Sequence, residues 1–185
     1  MRIIAGQYRG RALASVGKGD AAAHLRPTTD RVRESLFNIL TGGRFGDPIT
    51  GARVLDLFAG TGALGLEALS RGAAEAVFVD SGRKAGALIS ANLKTTGATG
   101  RLFRADATRL GRAEDCFDLV FLDPPYGTGA GEKALRKAWD VGWIANGALV
   151  VWEDNTAQAA PNGFLVLDAR KFGQTHVTFL RAGLD

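Results

Sequence analysis

Val54-Leu55-Asp56-Leu57-Phe58-Ala59-Gly60-Thr61-Gly62-Ala63-Leu64-Gly65 decides the fold of this chain. A short apolar run carrying one acid reads as a buried strand. Glycines stop it, and Ala63 onward reads as a helix. The stretch is therefore strand, tight turn and helix start. Gly60, Gly62 and Gly65 satisfy the spacing G-x-G-x-x-G, which gains force from its place directly after a strand. Glycines there let backbone approach a ligand and let the helix pack close on the sheet.

Outward from this unit the chain alternates. Strands are predicted at 52–57, 76–80, 101–104, 117–122, 147–152, 164–169 and 174–180, and helices at about 62–71, 82–95 and 130–140. Strands alternating with helices build a parallel α/β sheet of Rossmann-like type. Only Arg170-Lys171-Phe172-Gly173 separates the last two strands, so they form an antiparallel hairpin. Residues 1–13 read as a short strand pair punctuated by Gly6 and Gly10, and 14–24 as a mobile loop. A helix then starts at Thr28 or Thr29, just after Pro27. Its apolar face is Val32, Leu36, Ile39 and Leu40. Arg31 and Arg33 lie off that face, free to meet phosphate, and Gly42-Gly43 ends the helix.

The 185 residues make one domain with a small appendage, residues 1–44 as a basic extension and 45–185 as the main domain. No apolar stretch is long enough to span a bilayer, and the N-terminus shows no signal-peptide pattern. The single Cys116 excludes an internal disulfide, and with two histidines no metal site is expected. A reducing cytoplasm and a monomer fit these features. The net charge of +4 is unevenly spread: residues 1–44 hold eight basic and three acidic groups, the remainder 15 and 16. The whole excess thus sits in the N-terminal quarter, the footprint of a polyanion binder.

Asp123-Pro124-Pro125-Tyr126 closes the apolar run Phe117–Leu122. A carboxylate, two φ-restricted residues and an aromatic ring stand at the C-terminal end of a strand, where open α/β sheets bind ligands. The set suits a planar amine. Asp123 and a proline carbonyl can accept its two hydrogens and aim its lone pair, while Tyr126 offers a stacking face. At the glycine turn two ligands compete. A dinucleotide would place pyrophosphate on the helix N-terminus. S-adenosylmethionine suits Asp56 better, because a carboxylate there attracts an ammonium and repels a pyrophosphate. Asp80, ending the second strand, is placed for ribose hydroxyls. Asp106, beside Ala107, is placed for the adenine amine, with a turn-capping role as its competitor. Phe58, Ala59, Gly60, Gly62 and Ser81 complete the candidate cofactor lining.

These segments resemble the successive motifs of class I S-adenosylmethionine-dependent methyltransferases acting on exocyclic amines. The flanks narrow the resemblance. Arg2-Ile3-Ile4-Ala5-Gly6-Gln7-Tyr8-Arg9-Gly10-Arg11, the stretch Arg26 to Leu40, and Phe172-Gly173-Gln174-Thr175 are similar to the RsmD family of bacterial 16S rRNA guanine-N2 methyltransferases. The resemblance implies a seven-stranded sheet with the last strand inserted antiparallel. It implies S-adenosylmethionine at Gly60, Gly62, Asp80 and Asp106, and a target amine at Asp123 and Tyr126. It implies a partner that is 16S rRNA within the small ribosomal subunit or its assembly intermediate. Arg2, Arg9, Arg11, Arg26, Arg31 and Arg33 are the residues expected to hold the RNA backbone. A DNA adenine-N6 methyltransferase and an NAD-dependent oxidoreductase are the alternatives.

Overall fold

A computed structural model describes residues 1–15 and 30–183. Its sheet has seven strands: β1 (Arg53–Leu57), β2 (Glu75–Val79), β3 (Gly100–Phe103), β4 (Phe117–Leu122), β5 (Ile144–Asp154), β6 (Phe164–Phe172) and β7 (Thr175–Ala182). The helices are α1 (Asp30–Thr41), α2 (Ala63–Ser70), α3 (Arg83–Thr96) and α4 (Ala130–Asp140), with a 3₁₀ turn at Ala107–Arg109. The strand order is β3-β2-β1-β4-β5-β7-β6. β1 to β5 run parallel, and β7 lies antiparallel between β5 and β6.

Alternation along the strands sorts the core into two layers. Val54, Phe78, Leu119, Phe121, Val151 and Phe179 face α1, α2 and α3, while Leu55, Leu57, Val120, Leu122, Val150 and Trp152 face α4 and the 3₁₀ turn. The strand order reverses between β1 and β4, whose C-terminal ends are level at the pair Leu57–Leu122. A doubly wound sheet opens its binding crevice at such a reversal.

The expected N-terminal strand pair is present as an antiparallel bridge, Arg2 to Ala12, with Ile3 and Leu13 buried in the core beside α1. It is clamped to α2. Glu67, fully buried, accepts from the Ile4 and Ala5 amides at 2.8 and 3.1 Å and from Arg71 Nε at 2.8 Å. Gly6 is required there. Its φ is +82°, and a Cβ would sit 1.8 Å from the Ser70 carbonyl oxygen.

Two expectations for α1 are corrected. Its buried face is Arg33, Leu36, Phe37 and Leu40, with Val32 and Ile39 only half-buried. Arg33 is not free to meet phosphate. It is fully buried, donates to the Arg2 carbonyl, and pairs with Asp30 at 3.0 Å and Glu67 at 3.8 Å. The buried carboxylate of Glu67 takes Arg33 as a second cation beside Arg71, which favours the α1 face that carries Arg33 turning inward. Thr28 and Thr29, and most of the 14–24 loop, lie outside the described residues.

Candidate active site

The loop after β1 turns sharply at Phe58, the one described non-glycine residue with positive φ (59°). A bulky side chain in that region marks local strain, which concentrates at functional sites. The turn is tied down by Ala59 N–H to the Val79 carbonyl at 3.1 Å and by Gly60 N–H to Asp80 Oδ2 at 2.9 Å. The other Asp80 oxygen takes the Gly82 amide at 2.8 Å. Asp80 thus ties the β1 loop to the β2–α3 turn, with exposed Ser81 between.

Asp56 lies beneath this loop and is 1% exposed. Its Oδ2 accepts the Gly65 amide at 3.0 Å. Gly65 must lack a side chain, since a Cβ would fall 2.4 Å from the Phe78 ring and 3.2 Å from Asp56 Oδ2. Burial pushes the Asp56 carboxyl up to about 8, partly offset by the Gly65 hydrogen bond, with the charge of Asp80 adding to the rise. Asp56 is therefore an internal acid rather than an open one.

These residues fit S-adenosylmethionine and not a dinucleotide. An α2 N-terminal amide that a pyrophosphate would need is already occupied by Asp56, and Asp80 stands beside it. Asp80 at the loop and an Asp56 that a nearby cation would draw into its charged form favour a cationic ligand carrying hydroxyls. Asp106 is exposed and caps the 3₁₀ turn, its Oδ1 accepting from the Thr108 amide at 2.9 Å and hydroxyl at 2.7 Å. Those bonds hold its carboxyl below the usual range. Ala107 beside it is buried.

At β4 the sheet ladder runs one step past Leu122, with the Asp123 amide donating to the Leu57 carbonyl at 3.3 Å. That bond brings Asp123 beside the strained loop of β1. Pro124 is buried, Pro125 is exposed, and the Pro125 carbonyl accepts from Thr128 Oγ1 at 2.7 Å. Tyr126 is half-buried, and its hydroxyl donates to Glu153 Oε1 at 3.1 Å. Burial is the main cause that lifts the Tyr126 phenol to about 12, so it stays protonated.

The basic residues divide. Arg2, Arg9 and Arg31 are exposed, and Arg31, Val32 and Ser35 line a groove against Phe172 and Gly173. Arg11 is exposed but donates through Nη1 to the Thr95 and Thr96 carbonyls, capping α3, at 2.8 and 2.6 Å. Arg33 is interior and Arg26 lies outside the described residues. Among the described residues no His, Cys, Asp and Glu cluster could hold a metal ion, and no helix is long and apolar enough to cross a membrane.

Sequence reasoning missed Glu67, Asn92 and Glu153. Asn92 is fully buried and donates to the Thr61 and Ala14 carbonyls at 2.9 and 3.1 Å while accepting the Ala14 amide at 2.7 Å. Glu67 was visible as the lone charge in the apolar helix ALGLEALS. Glu153 follows the rule applied to strands one to four, an acid at a strand's C-terminal end.

The family model described as conserved hypothetical protein 95 matches residues 1–181. Ribosomal RNA small subunit methyltransferase D of Escherichia coli strain K12 is 40% identical over 163 residues, covering 87% of this chain and 78% of that protein. The Haemophilus influenzae protein of the same name is 35% identical over 159 residues, covering 83% and 78%. The solved structure of yhhF from Escherichia coli superposes with a TM-score of 0.82 at 36% identity, covering 100% and 99% of the two chains. The T. thermophilus 16S rRNA N2 G1207 methyltransferase, solved with AdoMet and guanosine, shares the fold at a TM-score of 0.64 and 18% identity, covering 88% and 45%.

Proposed function

Because this chain belongs to the family described as conserved hypothetical protein 95, the RsmD family, we propose that it methylates the exocyclic N2 amine of a guanine in small-subunit rRNA. It is an S-adenosylmethionine-dependent rRNA methyltransferase. The observation that carries the reading is the Asp123–Leu57 ladder bond, which sets an amine-holding tetrapeptide against the glycine loop.

S-adenosylmethionine supplies a methyl group already activated by its sulfonium charge. When it is bound, Asp56 would hold its ammonium, Asp80 its ribose hydroxyls, and Asp106 with Ala107 its adenine. Phe58, Ala59, Gly60, Gly62 and Ser81 shape the cradle. At the substrate end, Asp123 and the Pro124 carbonyl accept the two amine hydrogens and hold the nitrogen lone pair toward the cofactor. An aromatic amine is a weak base and needs no deprotonation before attack. As the bond forms the nitrogen becomes acidic, and Asp123 takes its proton. The guanine leaves its stack to reach this pocket and stacks on Tyr126.

Residues 1–44 act as the RNA-holding extension through Arg2, Arg9, Arg11 and Arg31, with Arg33 reassigned to the interior. The substrate is rRNA within the small subunit or an assembly intermediate, met in the cytoplasm by a monomeric enzyme. The test is methyl transfer from labelled cofactor to unmethylated small subunits, free 16S rRNA and DNA in parallel, with the product nucleoside identified by mass. N2-methylguanosine on subunits is the expected product. N6-methyladenine on DNA would overturn the substrate assignment.

A further inference from the structure

Tyr126 stands past the end of β4 at Leu122, outside the strand itself. Its hydroxyl reaches Glu153 Oε1 at 3.1 Å and lies 3.5 Å from Thr175 Oγ1. Both partners follow from register. Leu122 pairs with Trp152 across β4 and β5, so one residue further on each strand stand Asp123 and Glu153. Glu153 pairs in turn with Val177 of β7, two residues from Thr175 on the same face. Thr175 opens β7 opposite Phe172, whose ring lines the groove against Arg31. Glu153 is 5% exposed, and a carboxylate that deep is retained at a cost in desolvation.

We propose that Glu153 is a positioning residue that, acting through the Tyr126 hydroxyl, fixes the ring against which the target base stacks and ties it to the β6–β7 turn through Thr175. This rests on the methyl-transfer reading above. A stacking face that rotates freely must be ordered when the base arrives. One held in advance by a buried acceptor has already lost that freedom. Glu153 sits on β5, an interior strand flanked by β4 and β7, so the sheet holds the anchor on both sides.

The test is a double-mutant cycle on kcat with subunits as substrate, together with a phenolate titration. Tyr126→Phe and Glu153→Ala should each lower kcat by about 10-fold, and the double variant by about the same, because one contact is lost once. The apparent KM for S-adenosylmethionine should stay within about twofold, and Glu153→Gln, which keeps an acceptor, should restore most of kcat. Multiplicative losses, or full kcat in Glu153→Ala, would overturn the proposal.

The titration is read without any RNA. In a Tyr8→Phe background Tyr126 is the sole tyrosine, since the chain has two. Its phenolate absorbance should emerge near pH 12, and Glu153→Gln should move it downward because the Glu153 charge and hydrogen bond both raise it. An unmoved titration would sink the contact itself. A moved titration with no methyl transfer by the parent enzyme would instead sink the substrate reading.

Discussion

The C-terminal ends of β1 and β4 lie side by side, each carries an aspartate, and the two are built in opposite senses. Asp56 is turned inward, 1% exposed, and bonded to the first turn of α2. Asp123 is one residue beyond its strand and only half-buried. In the proposed reading the inward acid braces the glycine turn through Gly65 and takes up its charge only when the cofactor ammonium arrives. In the same reading the outward acid meets substrate itself. α1 repeats the contrast two residues apart: Arg33 is fully buried against Glu67, while Arg31 is exposed on the groove. The lesson is that side-chain charge alone does not assign a role here. The direction in which the fold turns each charge does.

The sharpest break of this comparison is Asp123→Ala. It should lower kcat by about 10³-fold or more and leave the dissociation constant for S-adenosylmethionine near that of the parent, read by calorimetry on the RNA-free protein. Equal loss of cofactor binding would erase the distinction between the two strand ends.

Arg33→Ala should cost about 2–4 kcal/mol of stability, because it removes one of the two cations on the buried Glu67 carboxylate and empties the interior space its side chain fills. Urea unfolding measures this. A loss of RNA affinity with unchanged stability would return Arg33 to the RNA-holding set.

Asp56→Asn should weaken cofactor binding by about 10-fold, the worth of one hydrogen bond to a charged group. It should also change the pH dependence of stability. Unfolded, the carboxyl ionises near its ordinary 3.8, and folded near 8. Between those values the folded chain holds a proton that the unfolded chain has lost, so stability falls as pH rises and levels off above about 8. The Asn variant should lose that slope. In the parent, an ammonium beside Asp56 favours its charged form, so cofactor binding below about pH 8 should release a proton. Calorimetry in two buffers of different ionisation enthalpy reads that release, and a proton uptake would place the ammonium elsewhere.

An effect of similar size, confined to RNA binding, is expected at Arg31→Glu. RNA affinity should fall by about 10-fold and the salt slope should flatten, with stability and cofactor affinity held. Binding isotherms at three salt concentrations decide it.

Much of this was legible in the chain. Periodicity located all seven strands, most sharply β1, β2 and β4, because a strand buried on both faces is a continuous apolar run. The ends of β5 and β6 were less visible: both run several residues past their apolar centres, and their pairing with β7 carries them on. The acids at the ends of strands one to four were readable, since alternation fixes which residue comes last. The face of α1 was misread because an arginine counts as polar in a helical pattern, whereas here Glu67, 34 positions away, draws it inside. Glu67, Asn92 and Glu153 had no local signal of their partners, which lie 63, 78 and 27 positions off in sequence.

By itself the sequence determined the order and type of the elements, the glycine turn, and the tetrapeptide after β4, because these follow from local backbone chemistry and short-range periodicity. Only the tertiary structure decided which charges face solvent, which are interior, and what the Tyr126 hydroxyl meets. The reason is physical. A charge goes inside only where a distant partner repays its lost hydration, and chain neighbours do not reveal where that partner will be.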